Sequence, residues 1–459
     1  MKRCEWTRRR WLSNVAAAAA TVTILPVRLA GGENARAVRT FQANEKVDLA
    51  CIGVGGMGGG NRRELAGLGA NIVALCDVDS GTLQKAAKDH PEARTWVDFR
   101  EMFERQKNID AVMVSTPDHM HFPAAMLAMK LGKAVSVEKP MAHTLWEARQ
   151  MALAAKKYKV ATQMDNENHG HPGLRTLVEW VKAEAIGNVQ EVHIWSDRPI
   201  WPQGISKRLD TKPVPANLNW DLWLGPAPFR EYHDSLHPFK WRGWWDFGCG
   251  ALGDMGCHFF DSAFWALELG APSTVEAEQE GNSVETGPNW SIVTYRFPAR
   301  KGRGGPQEGK NLPPITVKWY DGKKLPPRPE ELEADRQLPA NGSLFIGEKG
   351  KILVTDAASP RLIPEAKMKE FQRPEPFVGR VKSHKAEWLD AVKGGPRCGC
   401  DFELYGGPLA EVVLLGNLAI RCGRKIEWDA VRLRAKNAPE ADQYIRREYR
   451  KGWEVTGVE

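Results

Sequence analysis

An aspartate and a histidine four residues apart, Asp254 and His258, stand in the stretch "WWDFGCGALGDMGCHFFD", and a second aspartate follows at Asp261. Residues three and four apart share one face of a helix. A helix over 257–268 would group His258 with Asp261 and leave Asp254 just before it, as a cap. Glycines 248, 250 and 253 would let the preceding loop come close to a ligand. Three readings fit these residue types: a capped structural helix, a metal site on Asp254, His258 and Asp261, or acid–base work. Zinc prefers nitrogen and sulfur ligands, and no partners of that kind stand at metal-binding spacing, so no metal is expected. A histidine that titrates near neutrality, oriented by a carboxylate, suits proton transfer from an alcohol. A lysine able to bond to the developing alkoxide stands in "VEKP": Lys139, with Glu138 before it to set its position.

Oxidising an alcohol also needs a hydride acceptor, and the elements expected to position Lys139 provide for one. An apolar strand over 47–52 runs into Gly53-x-Gly55-x-x-Gly58, with Gly56 and Met57 inside the turn. A helix from about 59 to 68 and a strand over 72–76 follow, and the strand ends at Asp77. Strand, glycine turn, helix, strand and acid come in the order a dinucleotide fold requires. Gly53 permits the tight turn, Gly55 makes room for the pyrophosphate, and Gly58 lets helix and strand approach. Free N–H groups at the helix start then meet the phosphates. Asp77 suits the ribose hydroxyls of NAD and would repel the extra phosphate of NADP. Strands over 109–114, 134–137 and 158–164, with a helix over 144–157, continue the alternation. Lys139, at the end of one of them, lies where the nicotinamide should be.

Beyond about residue 165 the character changes. A helix over 172–184 and a strand over 188–195 lead into a passage rich in proline and tryptophan. Strands over 274–278, 290–297 and 315–320, and a hairpin in "NGSLFIGEKGKILV", indicate an open, mostly antiparallel sheet, followed by late helices that pack on it or back on the first domain. The expected fold is α/β: a Rossmann domain over 45–165, then an α+β domain over 166–459 for substrate and oligomerisation. The chain has 18 tryptophans and 7 tyrosines, and Trp201, Trp220, Trp223, Trp241, Trp244, Trp245 and Trp265 crowd one region. Flat aromatic faces stack on pyranose rings, so the cluster points to a sugar pocket that includes Trp245. Arg198, Lys240 or Arg242 would suit an acidic sugar. The net charge is +7 with basic residues scattered, which argues against nucleic acid. Among the 8 cysteines there is no C-x-x-C; Cys249–Cys257 and Cys398–Cys422 bridges stay open.

The first 37 residues read as an address. A basic head with "TRRRWL" precedes an alanine-rich apolar stretch and an A-x-A site at 35–37, as in a twin-arginine export signal. The expected partner is that export machinery and the expected location the periplasm, or the cytoplasm if the segment does not work as a signal.

With "GVGGMG", "STPDHMH", "EKP" and "GCGALGDMGCHFFD" in place, the chain from about Val47 onward resembles the Gfo/Idh/MocA family of sugar and inositol oxidoreductases, in its exported bacterial subgroup. The resemblance implies NAD(P), a large C-terminal sheet, and homodimers or homotetramers formed through it; with Asp77 the expected cofactor is NAD rather than NADP, tightly bound. It places the family's lysine on Lys139 and its D-x-x-x-H pair on Asp254 and His258, with Asp261 as the acid beyond. Thr116, Pro117 and His121 fall beside the nicotinamide. Asn166 and His169 fall in the pocket, although Asp165 and Glu167 replace the usual glycine and glutamine there. The expected function is NAD-dependent oxidation or reduction of a hydroxyl on a sugar, glycoside or inositol-like substrate. One alternative is glycoside cleavage by transient oxidation and elimination, with no net redox change. Another is a non-catalytic sugar-binding protein, against which the retained Lys139, Asp254 and His258 argue.

Overall fold

A computed structural model describes residue 41, residues 45–356 and residues 359–458. The expected signal segment, 1–37, lies outside them. Six parallel strands form the first sheet: β1 (Asp48–Ile52), β2 (Asn71–Cys76), β3 (Arg94–Trp96), β4 (Ala111–Val114), β5 (Ala134–Glu138) and β6 (Thr162–Asp165). Runs such as "NIVALC" and "AVMV" are buried along nearly their whole length, as strands covered by helices on both faces must be. The spatial order is β3-β2-β1-β4-β5-β6. The order reverses between β1 and β4, and ligands bind such sheets in the crevice outside the carboxyl ends at that point. The helix Leu145–Tyr158 starts at a capping box of Thr144 and Glu147, and Lys159 ends it in the left-handed region. It runs on to Tyr158, so the strand expected over 158–164 shortens to β6.

The second sheet has nine strands. Val189–Trp195 lies between Gly342–Gly347 and Ile315–Tyr320. Trp290–Phe297 and Thr274–Glu280 continue the sheet beyond Ile315–Tyr320, and Lys351–Thr355 pairs on the other side of Gly342–Gly347. All its named pairings are antiparallel except that of Val189–Trp195 with Ile315–Tyr320. Alternate residues Val275, Val293, Tyr295, Val317 and Trp319 point into one apolar core shared with Leu252, Phe260 and Val413. The sheet is the mostly antiparallel one expected.

The main difference from the sequence reading is the helix Gly250–Ala266. It begins well before the expected 257, so Asp254 lies inside it and caps nothing. The apolar residues that begin it, Ala251 and Leu252, are buried, and glycine is tolerated there because another helix must come close. A Cβ on Gly256 would stand 2.9 Å from Val413 of the helix Gly407–Cys422, and one on Gly416 would stand 2.0 Å from the Tyr295 hydroxyl. These two glycines serve packing. Gly248 likewise presses on its own chain, 2.6 Å from the Arg242 backbone. Cys249, Cys257, Cys398 and Cys422 are free thiols, so neither open bridge forms.

The late helix His384–Val392 packs back on the first domain, where Trp388, Leu389 and Val392 join Leu49, Leu75 and Ala111 in one core. Farther along, Glu147 accepts from Arg447 Nε at 2.9 Å and from the Tyr449 hydroxyl at 2.8 Å, which ties the segment around 447–453 to the Rossmann domain.

Candidate active site

A cleft of about 690 Å³ runs along the carboxyl ends of β1, β2, β4 and β5. Gly53, Gly55, Gly56, Met57, Asp77, Thr116, Pro117, Glu138 and Lys139 line it on the Rossmann side. The 215–242 passage supplies the facing wall, with Asn217, Trp223, Phe239, Trp241 and Arg242, while Asp254 and Trp453 add to the lining. Three bonds hold this wall to the Rossmann domain. Asn217 Nδ2 donates to Asp79 at 2.9 Å, Ser80 N–H to the Asn217 carbonyl at 2.8 Å, and Asn219 N–H to the Val78 carbonyl at 2.9 Å.

The glycine turn is shaped by contact distances. Gly53 has φ +79°, and a Cβ there would lie 2.5 Å from the Ser115 carbonyl oxygen; a Cβ on Gly58 would lie 2.0 Å from the Gly53 carbonyl oxygen. The helix starts at Gly56, three residues before the expected 59, so Gly58 sits in its first turn. Gly55 precedes it with no side-chain cap, and a Cβ on Gly56 would meet nothing within 4 Å. First-turn N–H groups lack partners inside a helix, and here they open on the cleft. The Thr116 hydroxyl is buried without a partner beside them. This cradle fits a dinucleotide: donors and space for a pyrophosphate, and carboxylates on Asp77 and Asp79 at the end where a ribose would lie.

Asp77 has a second task that its position in the sequence does not reveal. Its Oδ2 accepts from the Val54 N–H at 2.9 Å and its Oδ1 from the Asp79 N–H at 3.0 Å. Burial raises its pKa against the pull of those bonds. Asp77→Ala should therefore weaken NAD binding at least about tenfold, since bonds to a charged group are worth about 1.5–3 kcal/mol. Calorimetric titration with NAD checks this, and unchanged affinity would refute the assigned contact.

At the other end, Lys139 Nζ donates to the Asp254 backbone oxygen at 2.6 Å and to its Oδ1 at 3.0 Å. Arg242 Nε reaches the same Oδ1 at 3.3 Å, and its guanidinium stacks on Trp241. Burial works to raise Asp254, but Lys139 and Arg242 outweigh it and hold the carboxyl below the usual range. Arg242 is the one of the three suggested basic residues that lines the cleft; Arg198 pairs with Asp197.

His258 departs from expectation in its titration. Burial, reinforced by Lys139 and opposed by Asp254, pushes its pKa to about 3, and its Nδ1 is buried without a partner. It stays neutral near pH 7 instead of titrating there, and it does not line the cleft. His121 is buried as well. Its ring nitrogens face the Thr116 and Pro140 carbonyls at 2.8 and 3.3 Å, burial lowers its pKa to about 4, and it supports the cleft wall from behind. Glu138 lines the cleft and accepts from Asn61 at 2.7 Å; burial, reinforced by Asp165, pushes its pKa up.

Asn166, His169 and Asp261 lie elsewhere than the sequence placed them. Asp261, fully buried, accepts from Asn166 Nδ2 at 3.0 Å, faces His169 Nδ1 at 3.0 Å and accepts from the Tyr405 hydroxyl at 2.5 Å. The four side chains bond to one another, with Asn166 Oδ1 buried and left without a partner, and none lines the cleft. Trp245 is also away from it, with its indole N–H on Asn282 at 3.2 Å. Of the seven crowded tryptophans, Trp223 and Trp241 line the cleft. Sequence reasoning passed over Asp118, Asp79, Asn217 and Trp453, all in the lining. Asp118 had a signal, because it stands inside "STPDHMH". Among the described residues no group of three histidine, cysteine or carboxylate side chains is arranged to hold a metal ion.

A Rossmann crevice that ends against a lysine–carboxylate cluster, part of it carried by a second domain with an antiparallel sheet, defines a two-domain dinucleotide-binding protein. Residues 47–166 match the description "Oxidoreductase family, NAD-binding Rossmann fold", and residues 189–301 match that family's "C-terminal alpha/beta domain". The chain belongs to the Gfo/Idh/MocA oxidoreductase family. It is 34% identical over 164 residues to a glycosyl hydrolase family 109 protein of Saccharopolyspora erythraea, which is 33% of this chain and 35% of that protein. With the one from Solibacter usitatus it shares 32% over 177 residues, 35% and 40% of the two chains. The chain thus spans between a third and two fifths of the length of these curated relatives. The WlbA dehydrogenase of Bordetella pertussis, solved with NADH and UDP-GlcNAcA, superimposes with a TM-score of 0.57 at 20% identity, over 84% of this chain and 99% of its own. An aldose-aldose oxidoreductase of Caulobacter crescentus, solved with glycerol, gives 0.54 at 17%, over 84% and 100%. These two likenesses show a shared fold.

Proposed function

We propose that this protein is an NAD-dependent oxidoreductase acting on a hydroxyl of a sugar, glycoside or inositol-like substrate. The observation that carries the reading is Lys139 Nζ, held by Asp254 at the nicotinamide end of a dinucleotide cleft. The glycine turn and Asp77 would hold the NAD, which when bound supplies the hydride-accepting ring. The chain's own residues do the rest. Lys139 donates a hydrogen bond to the substrate oxygen and stabilises charge that develops there. Asp254 and Arg242 fix the lysine's position, and Asp254 offsets its charge. Neutral His258, one turn beyond Asp254 on the same helix, lies close enough to feel the charges of both Lys139 and Asp254. Trp223 and Trp241 give the lining an apolar part, and Arg242, stacked on Trp241, offers a cation to an acidic substituent.

A second reading has its own support, the names of the family 109 glycosyl hydrolases, to which about a third of this chain aligns at 32–34% identity. In it one hydroxyl is oxidised, the neighbouring carbon loses a proton, the aglycone leaves, and the ring is reduced again. One experiment separates the two. Denatured protein is assayed for released NAD, and native protein is mixed with free sugars and with nitrophenyl glycosides while reduced cofactor is followed. Reduced cofactor formed with free sugars supports net oxidation; nitrophenol without it supports elimination. Absence of both, with no bound NAD, sinks both readings.

We also propose that residues 1–37 export the folded chain by the twin-arginine route, which the "TRRRWL" motif supports. Loss of periplasmic protein on replacing Arg8 and Arg9 by lysine tests this. Pairing of two or four copies through the second sheet is proposed on the family resemblance, and sedimentation equilibrium tests it.

A further inference from the structure

We propose that the segment 217–226 is a strap that retains the dinucleotide: it crosses the glycine turn, and NAD enters or leaves only when the strap lifts. The inference deepens the oxidoreductase reading and rests on its NAD site. The strap is fixed to the Rossmann domain on both sides of the crevice. On one side it pairs with the turn after β2, through Asn217 Nδ2 to Asp79 Oδ2 at 2.9 Å, the Ser80 N–H to the Asn217 carbonyl at 2.8 Å and the Asn219 N–H to the Val78 carbonyl at 2.9 Å. On the other side it meets the short helical turn Asp118–Met120, which follows β4. His119 Nε2 faces the Trp223 carbonyl there at 2.9 Å, and a Cβ on Gly225 would stand 2.1 Å from Met120 Sδ. In the sheet β1 lies between β2 and β4, and the glycine turn follows β1. A chain tied down after β2 and again after β4 crosses the carboxyl end of β1, where a pyrophosphate would rest. Between the two anchors Leu218, Leu222 and Trp223 line the cleft.

The two anchors differ in strength. Beyond the helix Trp220–Leu224 the strap is clamped from outside the cleft by Arg450. The Arg450 N–H donates to the Pro226 carbonyl at 3.0 Å, its Nε to the Gly225 carbonyl at 2.9 Å and its Nη2 to the Asp221 carbonyl at 2.7 Å, while Nη1 pairs with the Asp221 carboxylate. Leu224 is buried in one core with Trp244 and Phe247. The Asn217–Asp79 bond is exposed, so water can replace it, and this edge is the one that lifts while the Arg450 end acts as the hinge. The lifting edge stands two residues from Asp77, at the end of the cleft where the ribose would lie. NAD enclosed in this way stays with the protein as a resident group instead of passing through as a second substrate.

The bland alternative is that 217–226 is a fixed wall whose residues merely touch the cofactor. Rates separate the two. A strap that must lift slows entry as well as exit, so weakening it speeds both; loss of a contact speeds exit alone. Asn217→Ala removes the bond at the lifting edge, and Arg450→Ala loosens the hinge from a position outside the lining. Release of NAD is timed by chasing the loaded protein with isotope-labelled NAD, and uptake is timed on protein emptied by dialysis. Both variants should release and take up NAD about tenfold faster than wild type, the low end of what a bond to a charged group is worth, and should still bind one NAD per chain. Unchanged rates in Arg450→Ala, or faster release without faster uptake, would overturn the proposal. If Arg450→Ala does not fold, the same two rates in Asn217→Ala, a substitution at an exposed side chain, decide. A wild type that exchanges NAD as fast as the variants also overturns it. A wild type that binds no NAD refutes the dinucleotide site itself, a failure visible before any variant is compared.

Discussion

Lys139→Ala should lower turnover by about 10²–10³-fold or more while the protein keeps its fold and its NAD. That range is the usual cost of deleting one donor aimed at a developing oxyanion. Retention of fold follows from the geometry. Without the lysine, Asp254 still has Arg242 at 3.3 Å, so no carboxylate is stranded in a partly buried site. Dinucleotide binding should persist because the glycine turn and Asp77 lie at the other end of the cleft. Lys139→Arg should not rescue the loss. A guanidinium is planar and wider than an ammonium, and its fork cannot meet the Asp254 carbonyl and carboxylate while also pointing one donor at a substrate. Steady-state kcat together with the NAD content of each variant checks both statements. Near-normal kcat in Lys139→Ala would remove the observation on which the proposed function stands.

Glu147→Ala should destabilise the protein by about 3–5 kcal/mol, the range for removing one partner of a buried ion pair. Glu147 is fully buried and collects four donors: the His143 and Thr144 N–H groups, Arg447 Nε and the Tyr449 hydroxyl. Its loss removes one half of the capping box, leaving the Thr144 cap in place, and leaves the Arg447 guanidinium, one of whose nitrogens already lacks a partner, without its counter-ion. Because the same segment carries Trp453 to the cleft, the variant should also bind NAD more weakly. Chemical denaturation of variant and wild type side by side measures the first effect, and a loss below about 1 kcal/mol, the worth of an exposed pair, would show that Glu147 is dispensable.

Much of this was legible in the chain, for physical reasons. Strand-length apolar runs separated by helix-length segments identify a parallel sheet, and a glycine turn between the first strand and helix shows where its crevice opens. The second sheet was legible from period-two alternation at 290–297 and 315–320. The start of the helix Gly250–Ala266 was not, because glycine carries a helix penalty that only tertiary packing against Val413 and Asn417 outweighs. Residue type also did not reveal the titration of His258. Its intrinsic pKa suits acid–base work, yet burial and Lys139 override it. For Asn166, His169 and Asp261 the chain shows polar groups but not their mutual pairing, and a polar side chain satisfied inside the protein reads the same as one turned toward a ligand. Asp118 had its signal in "STPDHMH", but most of what surrounds its carboxyl, Arg242, Cys249 and Asp254, comes from more than a hundred positions farther along the chain.

The central strand of the large sheet has a kinetic consequence. Glu191 pairs with Thr316 on one side and with Ile346 on the other, so Val189–Trp195 must wait for partners far along the chain, and one of those pairings is parallel. Closing such long loops is slow, whereas the Rossmann strands find neighbours within a much shorter span. Refolding should therefore proceed in two phases, with the nucleotide half structured first and the lysine waiting, unpaired, for the helix that brings its aspartate.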